Sequence, residues 1–359
     1  MKTLAAFTIM FLAGATQGQI TVTNNSTPAS LAAALAGPGV SLSSPALDAD
    51  PAATGIFSTG STANNYGLLG EGVVLSTGTA AYFSSGPDTQ NGWTSSFGGT
   101  ANPTQVGLLQ PITGTGTIRD VAQLDVDVTT AVARRVVFDV VYGSEEWPDY
   151  IDLIVDGFGV FVNAQPFNFA LTADGAAMNA NNPNFPATPI AETELNNVIA
   201  PGGTARVRFT AFVPAGTTTL NFLIGDATDY AYDSTVYLSP LTLTCPADLN
   251  GDGVVDDADF TIFSVAYNNL DDPRGDLNGD GITNDDDFTL FAPAYDNYYC
   301  DNCLADTNHD GQLDLDDYFL FFNWWDASDP RADVNHDGVL DLNDFFAFFN
   351  AWDSGCGQS

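Results

Sequence analysis

Asp248, Asn250, Asp252, Asp256 and Asp259 put five oxygen-bearing side chains at positions 1, 3, 5, 9 and 12 of a twelve-residue segment, with glycine at position 6. The pattern returns at Asp276, Asn278, Asp280, Asn284 and Asp287, at Asp306, Asn308, Asp310, Asp314 and Asp317, and at Asp333, Asn335, Asp337, Asp341 and Asp344. Calcium is a hard cation that takes roughly six to eight oxygens, and alternate side chains on a tight loop can wrap it while the main-chain carbonyl of position 7 adds another ligand. That carbonyl belongs to Val254, Ile282, Gln312 and Val339. The spacing predicts four Ca2+ sites of the EF-hand loop type.

A loop of this kind needs a helix to close it. Aromatic residues at positions 13, 16 and 20 (Phe260/Phe263/Tyr267, Phe288/Phe291/Tyr295, Tyr318/Phe321/Trp325 and Phe345/Phe348/Trp352) fall on one face of an exiting helix and predict the core between paired helices. No helical pattern precedes the loops, and Pro293 should kink or shorten the second helix. Loops one and two carry Gly251 and Gly279 at position 4, loops three and four carry His309 and His336, and the connectors Asp272-Pro273-Arg274 and Asp329-Pro330-Arg331 repeat. The unit of duplication is therefore a two-loop module.

Cys245, Cys300, Cys303 and Cys356 stand at the module borders. In a secreted chain they predict two disulfides, with Cys245–Cys300 and Cys303–Cys356 clasping one module each; a redox or half-zinc role for Cys300 and Cys303 is the alternative. Module two also carries Phe319, Phe322, Trp324, Phe346 and Phe349 where module one has small or hydroxyl residues such as Thr261, Ser264 and Thr289. These rings make either a docking face or a larger core.

Two half-hand loops in tandem, closing on Asp rather than Glu, resemble the dockerin module of cellulosomal proteins, and Asp353-Ser-Gly-Cys356 with the aromatic helices resembles its GC-type variant. The resemblance covers residues 245–300 and 301–359 and implies calcium-dependent docking onto a cohesin-like domain of another extracellular protein. In dockerins, positions 10 and 11 help choose the cohesin and are often hydroxyl residues. Here they are Asp257/Ala258, Asp285/Asp286, Leu315/Asp316 and Leu342/Asn343, which departs from the usual specificity.

Upstream, residues 1–18 have one charge at Lys2, an apolar run and then small residues, the order of a secretion signal. No later run is long enough to span a membrane, so no transmembrane anchor is expected. Residues 19–244 alternate short apolar bursts with turns, as in Gly72–Thr77, Arg134–Tyr142, Gly159–Val162, Arg206–Val213 and Thr219–Gly225. The fold class that follows is a mostly β N-terminal domain, a β-sandwich, before small all-α tandem modules. The Val-Val-Leu-Ser-Thr-Gly run ending at Gly78, Tyr142-Gly-Ser-Glu-Glu-Trp-Pro-Asp-Tyr150 and Ile224–Leu238 resemble the choice-of-anchor L domain of secreted bacterial proteins. That resemblance implies an extracellular sandwich of unassigned role.

Glu145, Glu146, Asp149, Asp152 and Asp156 could meet Asp226, Asp229 and Asp233 at neighbouring strand ends, either as a second calcium site or as solvated carboxylates capping turns. Both histidines and all four cysteines lie beyond residue 244, which leaves the sandwich only carboxylate chemistry. Of the 45 acidic residues, 26 lie in residues 245–359, against eight basic residues in the whole chain, so nucleic acid is excluded as a partner. The leading expectation is a secreted, non-catalytic, calcium-binding protein. The alternatives are a carbohydrate-active enzyme or polysaccharide-binding component, with Trp93 or Trp147 as a sugar platform, and a purely structural surface protein.

Overall fold

A computed structural model describes residues 20–59, 66–68, 70–84, 92, 94–172, 174–185, 195, 197–270, 272–297, 305–308, 313–334 and 339–354. The expected secretion signal, Trp93, Cys300, Cys303, Cys356, Asp310, Gln312, Asn335 and Asp337 lie outside the described residues.

The chain opens with β1 (Thr21–Asn24), α1 (Pro28–Leu35), β2 (Leu42–Asp48), β3 (Thr54–Ser58) and β4 (Glu71–Ser76). Then come α2 (Pro103–Thr113), β5 (Ile118–Thr130), β6 (Arg134–Ser144), β7 (Gly157–Val162) and β8 (Met178–Asn179). The β region closes with β9 (Val207–Val213), β10 (Gly216–Ala227), β11 (Ser234–Leu238) and β12 (Thr242–Thr244). The tail holds α3 (Asp257–Asn268), α4 (Asp285–Asn297), α5 (Leu315–Ala327) and α6 (Leu342–Ser354).

The strands form two antiparallel sheets, one in the order β1-β3-β4-β11-β6-β12 with β9 also paired to β6, the other β2-β5-β10-β7-β8. Their inner faces share one core, in which Phe138 of β6 meets Phe222 of β10 edge to face at 5.6 Å. All five expected bursts are strands: β4, β6, β7, β9 and β10. In β9, Val207, Phe209, Ala211 and Val213 are buried, as their alternation predicts.

Besides the short strands β1, β2, β3, β8, β11 and β12, three longer elements lie outside these bursts. β5 alternates buried and half-buried residues along almost its whole length, but its apolar positions are interleaved with Asp120, Gln123, Asp125 and Asp127. α1 is rich in small residues, and α2 starts at Asn102-Pro103, a pair that reads as loop punctuation. Asn102 accepts from the Thr104 and Gln105 N–H groups while the Gln105 side chain returns to the Asn102 N–H, a capping box with proline in the first turn.

In the tail, one ring from each helix makes the centre of each pair. Phe263 of α3 stacks on Phe291 of α4 at 4.8 Å, and Phe321 of α5 stacks on Phe348 of α6 at 4.0 Å. All four occupy position 16. α4 is not shortened at Pro293, since it spans 13 residues like α5 and α6.

The first helix pair is fastened to the outer face of β6 and β9. Arg135 is wholly buried there and donates to the carbonyls of Pro246 (3.0 Å) and Arg274 (3.1 Å), while Thr210 donates to the Leu249 carbonyl and Arg208 to that of Gly251. Phe212, on the outward side of β9, is consequently buried as well. This contact explains the glycines at position 4. A Cβ on Gly251 would lie 2.6 Å from Val137 Cγ1 and one on Gly279 3.0 Å from Phe212, and both residues have left-handed backbone (φ 73° and 79°). Gly251→Val should therefore destabilise the tail by about 2 kcal/mol or more, through overpacking and backbone strain. In calorimetry of the calcium-loaded chain the tail transition should fall by several degrees while that of the sandwich stays in place; an unchanged tail transition would contradict the packed interface.

Candidate metal centres

Loop one shows how the sequence winds. Asp248 is buried; its Oδ1 accepts the N–H groups of Gly251 (2.7 Å) and Asp252 (3.1 Å), and its Oδ2 accepts the Gly253 N–H (2.9 Å) and the Thr244 hydroxyl (2.6 Å). Asn250 Oδ1 accepts the Asp252 N–H and Asp252 Oδ1 that of Val254, two successive turns closed by side-chain oxygens. Asp259 at position 12 ties the loop shut. Its Oδ1 accepts from Leu249 (2.7 Å) and Asn250 (2.9 Å), and its Oδ2 from Asp256 (2.9 Å).

Asp256 is also the N-cap of α3 and Asp259 its third residue, so positions 9 and 12 form a reciprocal capping box. Ligand spacing and helix start are written in the same residues. Loop two repeats the winding: Asp276 accepts from Gly279 and Gly281, Asp280 from Ile282, and Asp287 from Leu277 (2.8 Å), Asn278 (3.1 Å) and Asn284 (2.9 Å). The described ends of loops three and four follow suit, with Asp317 accepting from Asn308 and Asp314, and Asp344 from Asp341.

A carboxylate offers about four lone-pair sites; the bonds to Asp248 use four and those to Asp259 three, so an ion at position 1 would have to displace one of these bonds. Burial raises the Asp248 carboxyl above the ordinary range and pushes Asp259 up to about 6, with the Asp248 charge adding to the effect. Crowded acids of this kind call for a counter-charge. The Arg135 guanidinium provides part of it; burial pushes it down to about 10 against the pull of Asp248, Asp259 and Asp276. An all-oxygen set of this kind would take a hard cation such as Ca2+, with Val254, Ile282 and Val339 at position 7, whose carbonyl would be the main-chain ligand. Among the described residues no group of three or more His, Cys, Asp or Glu side chains stands at metal-ligand spacing.

The two helix pairs differ at positions 10 and 20. In the first, the Tyr267 hydroxyl donates to Asp285 and the Tyr295 hydroxyl to Asp257 at 2.5 Å, so each helix holds the position 10 aspartate of the other loop. In the second, position 20 is Trp325 or Trp352 and position 10 is Leu315 or Leu342, which are 64% and 63% exposed. Phe319 and Phe346, one turn further on, are both 59% exposed. Of the other rings expected on this face, Phe322 and Phe349 are half-buried against Tyr318 and Phe345. Trp324 falls to the larger-core alternative and not to a docking face: it is buried with Ala332 and Val334, and the Arg331 guanidinium covers its ring at 4.9 Å. Arg331 is itself clasped to Asp329 at 2.7 Å, as Arg274 is to Asp272, which gives the repeated Asp-Pro-Arg connector a structural role. Leu315 and Leu342, at the position 10 singled out in the sequence, are exposed alongside Phe319 and Phe346.

Cys245, half-buried just before loop one, is not a free thiol; the three other cysteines lie outside the described residues. Trp147 is half-buried, with its ring stacked on Phe185 at 5.3 Å. Of the acids at the strand ends, Glu145, Glu146, Asp156, Asp226 and Asp233 are buried while Asp149 and Asp152 are exposed.

The family described as choice-of-anchor L domain matches residues 21–243. No curated protein matches the chain. Among solved structures, the enzymatically active domain of bacteriophage CBA120 tailspike protein 4 aligns at 10% identity over 62% of this chain and 19% of its own, with a TM-score of 0.15. Procruciferin, an 11S globulin from Brassica napus, aligns at 11% identity over 46% of this chain and 30% of its own, with a TM-score of 0.09. The chain thus spans less than a third of either structure, and overlaps this slight carry no argument.

Proposed function

The chain belongs to the choice-of-anchor L family, and from that premise we propose that it is a secreted or surface-associated, non-catalytic protein whose calcium-loaded tail docks the sandwich onto another extracellular protein. No helix among the described residues is long and apolar enough to cross a membrane, so attachment through the tail is the route considered. The observation that carries the reading is the division of labour between the two helix pairs. The first is held against β6 and β9 by Arg135 and by glycines that leave no room for side chains. The second turns Leu315, Phe319, Leu342 and Phe346 outward in matching positions of its two loop–helix units.

A face repeated in this way fits a cohesin-like domain, the partner that the tandem half-hand loops imply. Calcium sets the spacing of α5 and α6 and hence of the four side chains. In the same reading, Cys245–Cys300 and Cys303–Cys356 clasp the ends of the two modules. The test is capture of the full-length chain on immobilised cohesin domains in calcium and in EDTA. Capture that needs calcium supports the reading, and retention unchanged by EDTA overturns it.

A further inference from the structure

The end of the sandwich holds a second group of acids with no relation to the loops of the tail. Asp156 lies behind it and is fully satisfied: Oδ1 accepts the Ala227 N–H at 2.9 Å, Oδ2 accepts the Ser234 hydroxyl at 2.9 Å, and Ser234 also bonds to Ser144 at 2.8 Å. In front of it stand carboxylates that are not. Glu146, at 0% exposure, has no hydrogen-bond partner on either oxygen; Asp226, at 1%, has none on either; Asp233, at 1%, has its Oδ1 on the Ser95 N–H and nothing on Oδ2. Gly78 makes space for that last oxygen, since a Cβ there would lie 1.7 Å from it.

These groups feel one another. Burial first, then Asp156, Asp229 and Asp233, push Glu146 up to about 9; burial first, then Asp156, Asp229 and Glu146, push Asp226 up to about 11. The nearest arginine in register does not help. Arg119 pairs with Asp226 across β5 and β10, but its guanidinium sits over the Tyr230 ring at 5.1 Å. Buried acceptors without donors are rare in folded proteins, and several in one place point to an ion or to ordered water.

We propose that Glu146, Asp226 and Asp233 bind a calcium ion at the end of the sandwich where β6, β10 and β11 meet, with Asp156 fixing the floor of the site. The donor set is oxygen only, because no His or Cys precedes residue 245, and this favours a hard cation over zinc. Among the described residues no three of these acids stand at ligand spacing, so binding requires their side chains to move toward one another. Its consequence is mechanical. The turn after β6 and the turn before β11, already linked by the bond of the Tyr150 hydroxyl to that of Tyr232 at 3.1 Å, are joined through one centre.

The inference does not depend on what the tail binds, because the test is a difference between two full-length proteins with identical tails. Wild type and Glu146→Gln/Asp226→Asn are stripped with chelating resin and dialysed to equilibrium against calcium, and bound metal is counted per chain. The variant is expected to hold one ion fewer, and its sandwich transition should no longer rise with calcium. An equal count in the folded variant overturns the site and leaves water or shared protons on these oxygens. Binding of magnesium but not calcium overturns the choice of metal. If the double variant does not fold, Asp233→Asn, which keeps an acceptor for Ser95, is read by the same count.

Discussion

Asp287→Ala is expected to unfold the first helix pair even in saturating calcium. Three main-chain N–H groups, those of Leu277, Asn278 and Asn284, lose their acceptor at once, and α4 loses one of the three carboxylates in its first turn. A buried donor left without a partner costs about 1–3 kcal/mol and a lost cap about 1, so the total is on the order of 4 kcal/mol before any loss of metal binding. A module of this size has little more than that to lose. Loss of most of the α3–α4 contribution to the helical circular dichroism signal is the expected outcome. Asp287→Asn keeps one acceptor oxygen at the same place while weakening the ligand. It should fold at high calcium and fail at low calcium, whereas identical behaviour of the two variants would mean that position 12 acts only through the ion.

The second large effect concerns capture. Phe319→Ser/Phe346→Ser removes two exposed rings from matching positions, so the fold should change by no more than about 0.5 kcal/mol. At an interface, buried aromatic anchors commonly contribute about 2 kcal/mol each, and losing both should weaken calcium-dependent capture by roughly 100-fold to 1,000-fold. Leu315→Ser/Leu342→Ser should weaken it further in the same background. If capture survives all four changes while the tail remains helical, docking belongs elsewhere. The alternative surface is the cleft on the first pair beside Phe260 and Phe288, which are also exposed.

What could be read from the chain alone was whatever repeats. The four Asp-x-Asn-x-Asp-Gly segments announce their loops, and three-and-four spacing places Phe263, Phe291, Phe321 and Phe348 on the inner helix faces, where they stack. The double use of Asp256 and Asp259 as loop oxygens and capping box follows from the same spacing but shows itself only in the backbone hydrogen bonds. Less legible was anything set by contact between distant segments. Gly251 and Gly279 differ visibly from His309 and His336, yet nothing local says that β6 and β9 lie against the glycines. Trp324 reads as an outer ring by position and turns inward because Arg331, from the next connector, covers it. The strand-end acids could be named but not sorted. Burial separates Glu146 and Asp226 from the exposed Asp149 and Asp152, and that depends on the register of β10 against β5 and β7.

The central claim is that calcium organises the tail, and helical circular dichroism of the full-length chain before and after chelation tests it most directly. The account predicts that EDTA removes most of the helical signal of α3 to α6, that excess calcium restores it, and that the β signal of the sandwich persists throughout. A helical signal indifferent to EDTA would contradict the account.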